Sequence, residues 1–166
     1  MKIGVISDTH DRLDAIERAV EVFNNERVDV VIHAGDFVSP FTEKPFRALN
    51  AKFYGIFGNN DGDKLLLKEK YRRVGEIEED PLELEIQSVS IAVTHKPKIV
   101  NALSHIYDIV IFGHTHMPEI RTGERKTGSG AETLVINPGE CCGYLSGRQT
   151  VAIIDIDSFS ADILEI

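Results

Sequence analysis

Apolar residues fill positions 3–7 with little polar interruption, the pattern of a strand covered on both faces. The period then lengthens. Leu13, Ile16, Val20 and Phe23 recur at helical spacing and predict an amphipathic helix over residues 12–26. A second buried strand is expected over 28–34, a short helix over 45–50, a third strand over 52–57 and another helix over 64–71. This βαβαβ order implies parallel strands with right-handed crossovers. In the second half, residues 82–87 alternate and pair with 90–94 as a hairpin, 97–105 reads as a helix and 108–112 as a further buried strand. Four strand-like runs follow at 119–122, 133–137, 151–157 and 161–165, and the polar, Gly-rich stretch 123–130 reads as a mobile loop. No repeat, low-complexity segment or linker interrupts residues 1–166, so one α/β domain is expected, with a largely parallel sheet packed on a sheet rich in antiparallel strands.

Composition adds exclusions. With 42% apolar and 27% charged residues the chain is an ordinary globular one. No apolar run approaches the roughly twenty residues of a membrane span. The first seven residues are too short an apolar segment for a signal peptide, so a cytoplasmic protein is expected. Cys141 and Cys142 are adjacent, cannot frame a domain by a disulfide, and read as reduced thiols near a turn. A net charge of −9 argues against binding long nucleic acid, which relies on Lys and Arg to neutralise phosphates. It suits a small substrate whose phosphate is held by cations. Oligomeric state, including a homo-oligomer, stays open.

The chemistry collects at strand ends. The run 3–7 leads into Asp8 and His10, the run 28–34 into Gly35-Asp36, and the run 52–57 into Gly58-Asn59. Residues 90–94 lead into His95, and 108–112 into Gly113-His114-Thr115-His116. Ligands of open α/β sheets bind at the carboxyl ends of parallel strands, so a shared strand direction brings seven polar groups to one edge. Three Asp or Asn oxygens and four His nitrogens suit Mn, Fe, Ni, Co or Zn better than Ca or Mg. Asp8-x-His10 and His114-x-His116 have the i, i+2 spacing that points to one side of an extended segment. Seven ligands exceed one tetrahedral ion, whereas two ions sharing a carboxylate would receive four each. Glycines at 35, 58 and 113 allow the close approach this requires.

In order and spacing, Asp8-x-His10, Gly35-Asp36, Gly58-Asn59-Asn60-Asp61, His95 and Gly113-His114-x-His116 resemble the signature of the calcineurin-like metallophosphoesterases. The length and the Asn-Pro-Gly at 137–139 resemble the small phosphodiesterases of the YfcE type. That resemblance implies a four-layer αββα sandwich. It also implies that Asp8, His10, Asp36 and His116 bind one divalent transition ion, and that Asp36, Asn59, His95 and His114 bind a second. Mn and Ni are the foremost candidates, with Fe, Co or Zn after them. The implied activity is hydrolysis of a small phosphate ester, a diester foremost, by hydroxide bridging the two ions. One position departs from the pattern. Where most of the superfamily has a histidine that contacts the phosphate, this chain has Asn60, whose amide can donate a hydrogen bond but cannot supply a proton near neutral pH. A slower enzyme favouring good leaving groups is expected.

Two other functions compete with this one. A retromer subunit of the same fold is a protein-binding scaffold with an altered metal site, but the ligand set here is complete. A small nuclease or phosphomonoesterase of the superfamily is the other, and a DNA-binding nuclease fits an acidic chain of this size poorly. Among residues outside the motifs, His33 reads as structural and His105 as a surface residue at a helix end. Asp11 and Asp61 read as helix N-caps. Arg121, Arg125 and Lys126 read either as reaching toward an anionic substrate or, equally well, as an exposed hairpin tip.

Overall fold

The computed structural model describes residues 1–124 and 132–166, so most of the stretch read as a loop, with Arg125 and Lys126, lies outside the described residues. Strand β1 (Lys2–Ile6) leads into helix α1 (Leu13–Glu26), then β2 (Val30–His33), α2 (Glu43–Phe46), β3 (Lys52–Ile56), α3 (Lys64–Tyr71) and β4 (Glu76–Glu78). The second half holds β5 (Leu82–Ile86), β6 (Val89–Thr94), α4 (Val100–Leu103), β7 (Ile109–Phe112), β8 (Pro118–Glu124), β9 (Glu132–Pro138), β10 (Thr150–Asp155) and β11 (Ser160–Glu165).

Two elements differ in place from the sequence reading. The short helix expected over 45–50 lies at Glu43–Phe46, behind a 3-10 turn at Pro40–Thr42. Pro40 rather than Pro45 starts it, because a proline fits the first helical position where no N–H is needed. The helix expected over 97–105 is a 3-10 turn, Pro97–Ile99, followed by the single turn of α4.

The strands form two sheets, in the orders β11-β10-β1-β2-β3-β4 and β5-β6-β7-β9-β8. As expected, the first sheet is largely parallel and the second is rich in antiparallel pairings. Strand β4 runs parallel to β3, with antiparallel strands only on the β10 side, while β5 and β8 flank the second sheet antiparallel. β1, β2 and β3 are parallel, and so are β6, β7 and β9. β10 joins the first sheet antiparallel to β1, with Ile3 opposite Ile154, instead of following the second-half strands. Burial explains this choice. Val151, Ala152, Ile153 and Ile154 are all buried, so this strand needs cover on both faces and finds it beside β1.

Side chains alternate between two cores. Ile3, Val5, Val30, Ile32 and Ile56 meet Ile91, Val93, Ile109, Ile111 and Ile136 between the sheets. The opposite face of the first sheet, with Ile6, Val31 and Phe53, packs on Ile16, Val20 and Phe23 of α1 and on Leu67 and Tyr71 of α3. On the far side of the second sheet, Val110, Phe112 and Val135 pack on Val100 of α4. The result is an αββα stack whose fourth layer is thin.

Candidate metal centre

The two parallel triplets end at the same place. The Gly113 position lies so close to the end of β1 that a Cβ there would stand 2.1 Å from Ser7 Oγ and 2.8 Å from the Ala34 carbonyl oxygen. A Cβ on Gly58 would fall 2.2 Å from Asp36 Oδ1, and one on Gly35 2.6 Å from His95 Nδ1. Gly113 and Gly35 therefore let loops of the two sheets interpenetrate, and Gly58 lets two loops of the first sheet do the same. The loops themselves are bent: Asp8, His10, Asp36, His114 and His116 all have positive φ, between 40° and 73°. Non-glycine residues in that region cost of order 1–3 kcal/mol each and cluster at functional sites. The expectation that Asp8/His10 and His114/His116 pair across an extended segment is thus wrong in its geometry. Left-handed turns aim these side chains, and the second pair divides, His116 toward Asp8 and His114 toward His95.

Asp8 is fully buried, and its Oδ2 accepts hydrogen bonds from Ser7 Oγ (2.6 Å) and the His114 backbone N–H (3.0 Å). Its Oδ1 lies 3.3 Å from His116 Nε2, 3.8 Å from His10 Nε2 and 3.9 Å from His95 Nε2. Asp36 Oδ2 lies 3.3 Å from His95 Nε2 and 3.6 Å from His10 Nε2. Two histidines have fixed tautomers. His95 Nδ1 donates to the Ala34 carbonyl and His116 Nδ1 to Glu140 Oε2, each at 2.7 Å, which leaves both Nε2 lone pairs facing the centre.

Asn60 grips Asp36 twice. Its backbone N–H reaches Oδ1 at 2.8 Å and its side-chain amide reaches Oδ2 at 2.7 Å. Burial alone would raise the Asp36 carboxyl, but His95 and these two Asn60 bonds hold it below the usual carboxylate range. Asn59 and His114 are exposed and line, beside His95, a cavity of about 400 Å³. The His114 and His95 rings meet edge to face with centroids 5.1 Å apart. Five of the seven candidate ligands, Asp8, His10, Asp36, His95 and His116, are therefore pressed close together, and Asn59 and His114 line the cavity beside His95.

The donor set fits divalent ions. Among the described residues, Asp8 Oδ1, His10 Nε2 and His95 Nε2 are buried without a hydrogen-bond partner. Leaving a buried polar group unsatisfied costs about 1–3 kcal/mol, so three at one point call for something they can share. A carboxylate oxygen and imidazole lone pairs can all be satisfied by a first-row cation. Asp8, Asp36 and His95 indeed offer ligand atoms within 4.8 Å of one another.

Some participants escape the sequence reading. Glu140 is fully buried just past β9, and its carboxylate accepts from His116, the Cys142 thiol (3.1 Å) and the backbone N–H groups of Tyr144, Leu145 and Ser146. Burial works against its charge, but the bonds from His116 and Ser146 outweigh it and bring the carboxyl down to about 2. Strand 133–137 running into Asn-Pro-Gly-Glu is a sixth strand end with a polar side chain, the same signal that picked out the other five. Asp61 is not a helix cap. Asp63 caps α3, while Asp61 is buried and accepts from the backbone N–H groups of Gly58 (2.6 Å), Val38 (2.7 Å) and Asp36 (3.2 Å), tying two site loops together. Nor does Asp11 cap α1, since it binds Ser39 N and Oγ instead. His33 is structural as read: it stacks on Phe37 at 3.6 Å and accepts from the Gly35 N–H at Nδ1, and burial holds its pKa well below the usual value. Cys141 and Cys142 are both buried free thiols.

A parallel-stranded αββα fold carrying this cluster at its strand ends defines a class. Residues 1–158 match the calcineurin-like phosphoesterase superfamily domain, and the chain belongs to that superfamily. It is 45% identical to phosphodiesterase MJ0936 of Methanocaldococcus jannaschii over 163 residues, 95% of this chain and 94% of that one. The solved structure of a novel archaeal phosphodiesterase matches with a TM-score of 0.88 at 42% identity, over 100% of both chains. The YfcE phosphoesterase of E. coli matches at 0.68 with 20% identity over 100% of both chains, a likeness of fold.

Proposed function

We propose that this protein is a phosphodiesterase acting on a small substrate, with Asp8, His10, Asp36 and His116 holding one divalent ion and Asp36, Asn59, His95 and His114 a second. The observation that carries the proposal is the convergence of three unpartnered buried ligand atoms around Asp36. The identity to a relative named as a phosphodiesterase supports the choice of diesters. Two such ions, with Mn or Ni foremost and Fe, Co or Zn as alternatives, supply an activated water and neutralise charge on the phosphoryl oxygens when bound.

The chain's own contributions are positional. Glu140 and the Ala34 carbonyl accept from Nδ1–H of His116 and His95 and so turn Nε2 of each ring toward the centre. Asn60 clamps the Asp36 carboxylate, and its amide N–H groups are donors that a phosphoryl oxygen can share. No amide protonates a leaving group near neutral pH, so turnover favours leaving groups stable as anions. The proposal takes residues 1–166 as one domain. It also keeps the protein in the cytoplasm, to which the two free thiols are suited; no helix among the described residues is long and apolar enough to cross a membrane.

The test is kinetic. With protein reconstituted in Mn or Ni, kcat/KM for bis(4-nitrophenyl) phosphate should exceed that for 4-nitrophenyl phosphate, whose second negative charge adds to a site already rich in oxygen ligands. A clear monoester preference contradicts the proposal.

A further inference from the structure

The cavity beside His95 is far larger than a phosphate group needs. At about 400 Å³ it falls in the range of roughly 300–1,000 Å³ that holds drug-sized ligands. Asn59, His95 and His114 form its inner wall, while Asp8, His10 and His116 are absent from its lining. It therefore extends from one side of the centre only. Its frame comes from three loops and a helix start: Phe57 to Asn59 after β3, Glu79 and Asp80 after β4, His95 to Lys98 after β6, and Lys64 at the head of α3.

The chemistry of the wall is specific. Phe57, Pro97 and the aliphatic stems of three lysines give it apolar surface. Lys64 lies 3.7 Å from Glu79 and over the Phe57 ring, 5.0 Å from its centroid, and Lys96 lies 3.3 Å from Asp80. Lys98 is exposed and makes no ion pair among the described residues. Three lysines against two carboxylates leave the cavity wall net positive by one charge, and the surplus is Lys98.

We infer that this cavity is the subsite for one ester arm of the substrate, and that it selects an arm with an apolar body ending in an anion held by Lys98. The inference rests on the phosphodiesterase reading only in placing the phosphate at the metal centre. The preferred diester then carries a second negative charge one arm's length from the scissile phosphate, as an aryl carboxylate or a further phosphate would.

Binding of inert analogues tests this without turnover. Methyl(benzyl)phosphinate and methyl(4-carboxybenzyl)phosphinate carry the single charge of a diester on phosphorus, and their carbon–phosphorus bonds cannot be hydrolysed. Calorimetry on Mn-loaded protein should show the carboxylated analogue binding about fivefold tighter at low salt, a magnitude typical of an exposed ion pair. The preference should shrink as salt rises. It should persist in Lys98→Arg, fall to near unity in Lys98→Gln and invert in Lys98→Glu, with folding checked by circular dichroism. Equal or weaker binding of the carboxylated analogue to the unaltered protein, an unchanged preference in Lys98→Gln, or no binding of either analogue overturns the inference. Diester turnover measured on the same preparation reports separately on the phosphodiesterase reading, which fails if hydrolysis is absent whatever the analogues do.

Discussion

His95 and His116 offer Nε2 to the centre because their other ring nitrogens are engaged, one by a backbone carbonyl and one by Glu140. The Ala34 carbonyl cannot be mutated away, but Glu140 can. Losing the partner of a metal-binding histidine costs about 10–100-fold in metal affinity. Glu140→Gln should therefore weaken the ion held by His116 by about that factor and leave the ion held by His95 and His114 within error, as read by metal-titration calorimetry. Equal loss at both would show Glu140 to be a general structural residue. Asn60 is the other residue-scale question. Placed where the resemblance expects a histidine, it spends its amide on Asp36. Asn60→His should raise kcat/KM for alkyl or nucleoside leaving groups, at most by the roughly 10²–10⁴-fold of a general acid. It should change nitrophenolate release far less, with metal content measured on the same samples. No gain at unchanged metal content would mean that position 60 is not where the leaving group receives its proton. At this scale the sequence displays the candidate ligands well, since a carboxylate or imidazole at a strand end is visible as a letter. Glu140 carries the same strand-end signal, whereas Asp61 is harder to read because its work is to accept hydrogen bonds from backbone, which no side-chain pattern announces.

The elements explain why the ligands meet. The parallel strands β1, β2, β3, β6 and β7 deliver the candidate ligands through short loops, and the loops of the two sheets fit together only where a glycine leaves room. Gly113→Ala puts a Cβ against Ser7 Oγ and the Ala34 carbonyl, an overpacking that costs about 1–3 kcal/mol in a tight site. Denaturant unfolding should show that loss together with weaker metal uptake. Gly62→Ala is the control, because nothing lies within 4 Å of a Cβ there, and it should change neither. Equal effects of the two substitutions would refute the steric argument. Periodicity located α1, α3 and the buried strands closely, because each has a continuous or amphipathic apolar pattern. It missed the three-residue β4, too short to carry a period. It also could not see that the i, i+2 ligand pairs sit on left-handed turns, since an Asp or His tolerates that backbone without any change of letter.

For the whole molecule, the order of strands in the sheets was the least legible feature. Pairing of β10 with β1 joins residues some 150 positions apart, and only three-dimensional burial decides it. The family pattern nevertheless gave the four-layer stack, and the chain's net charge of −9 acquires a local meaning: part of it, Asp8 and Asp36, is gathered where cations would neutralise it. The central claim is that seven ligands serve two ions through one shared carboxylate. The most direct test is the saturating stoichiometry of Mn or Ni on desalted, reconstituted protein, measured by elemental analysis against protein concentration. Two ions per chain is the predicted result. One ion per chain at saturation contradicts the account.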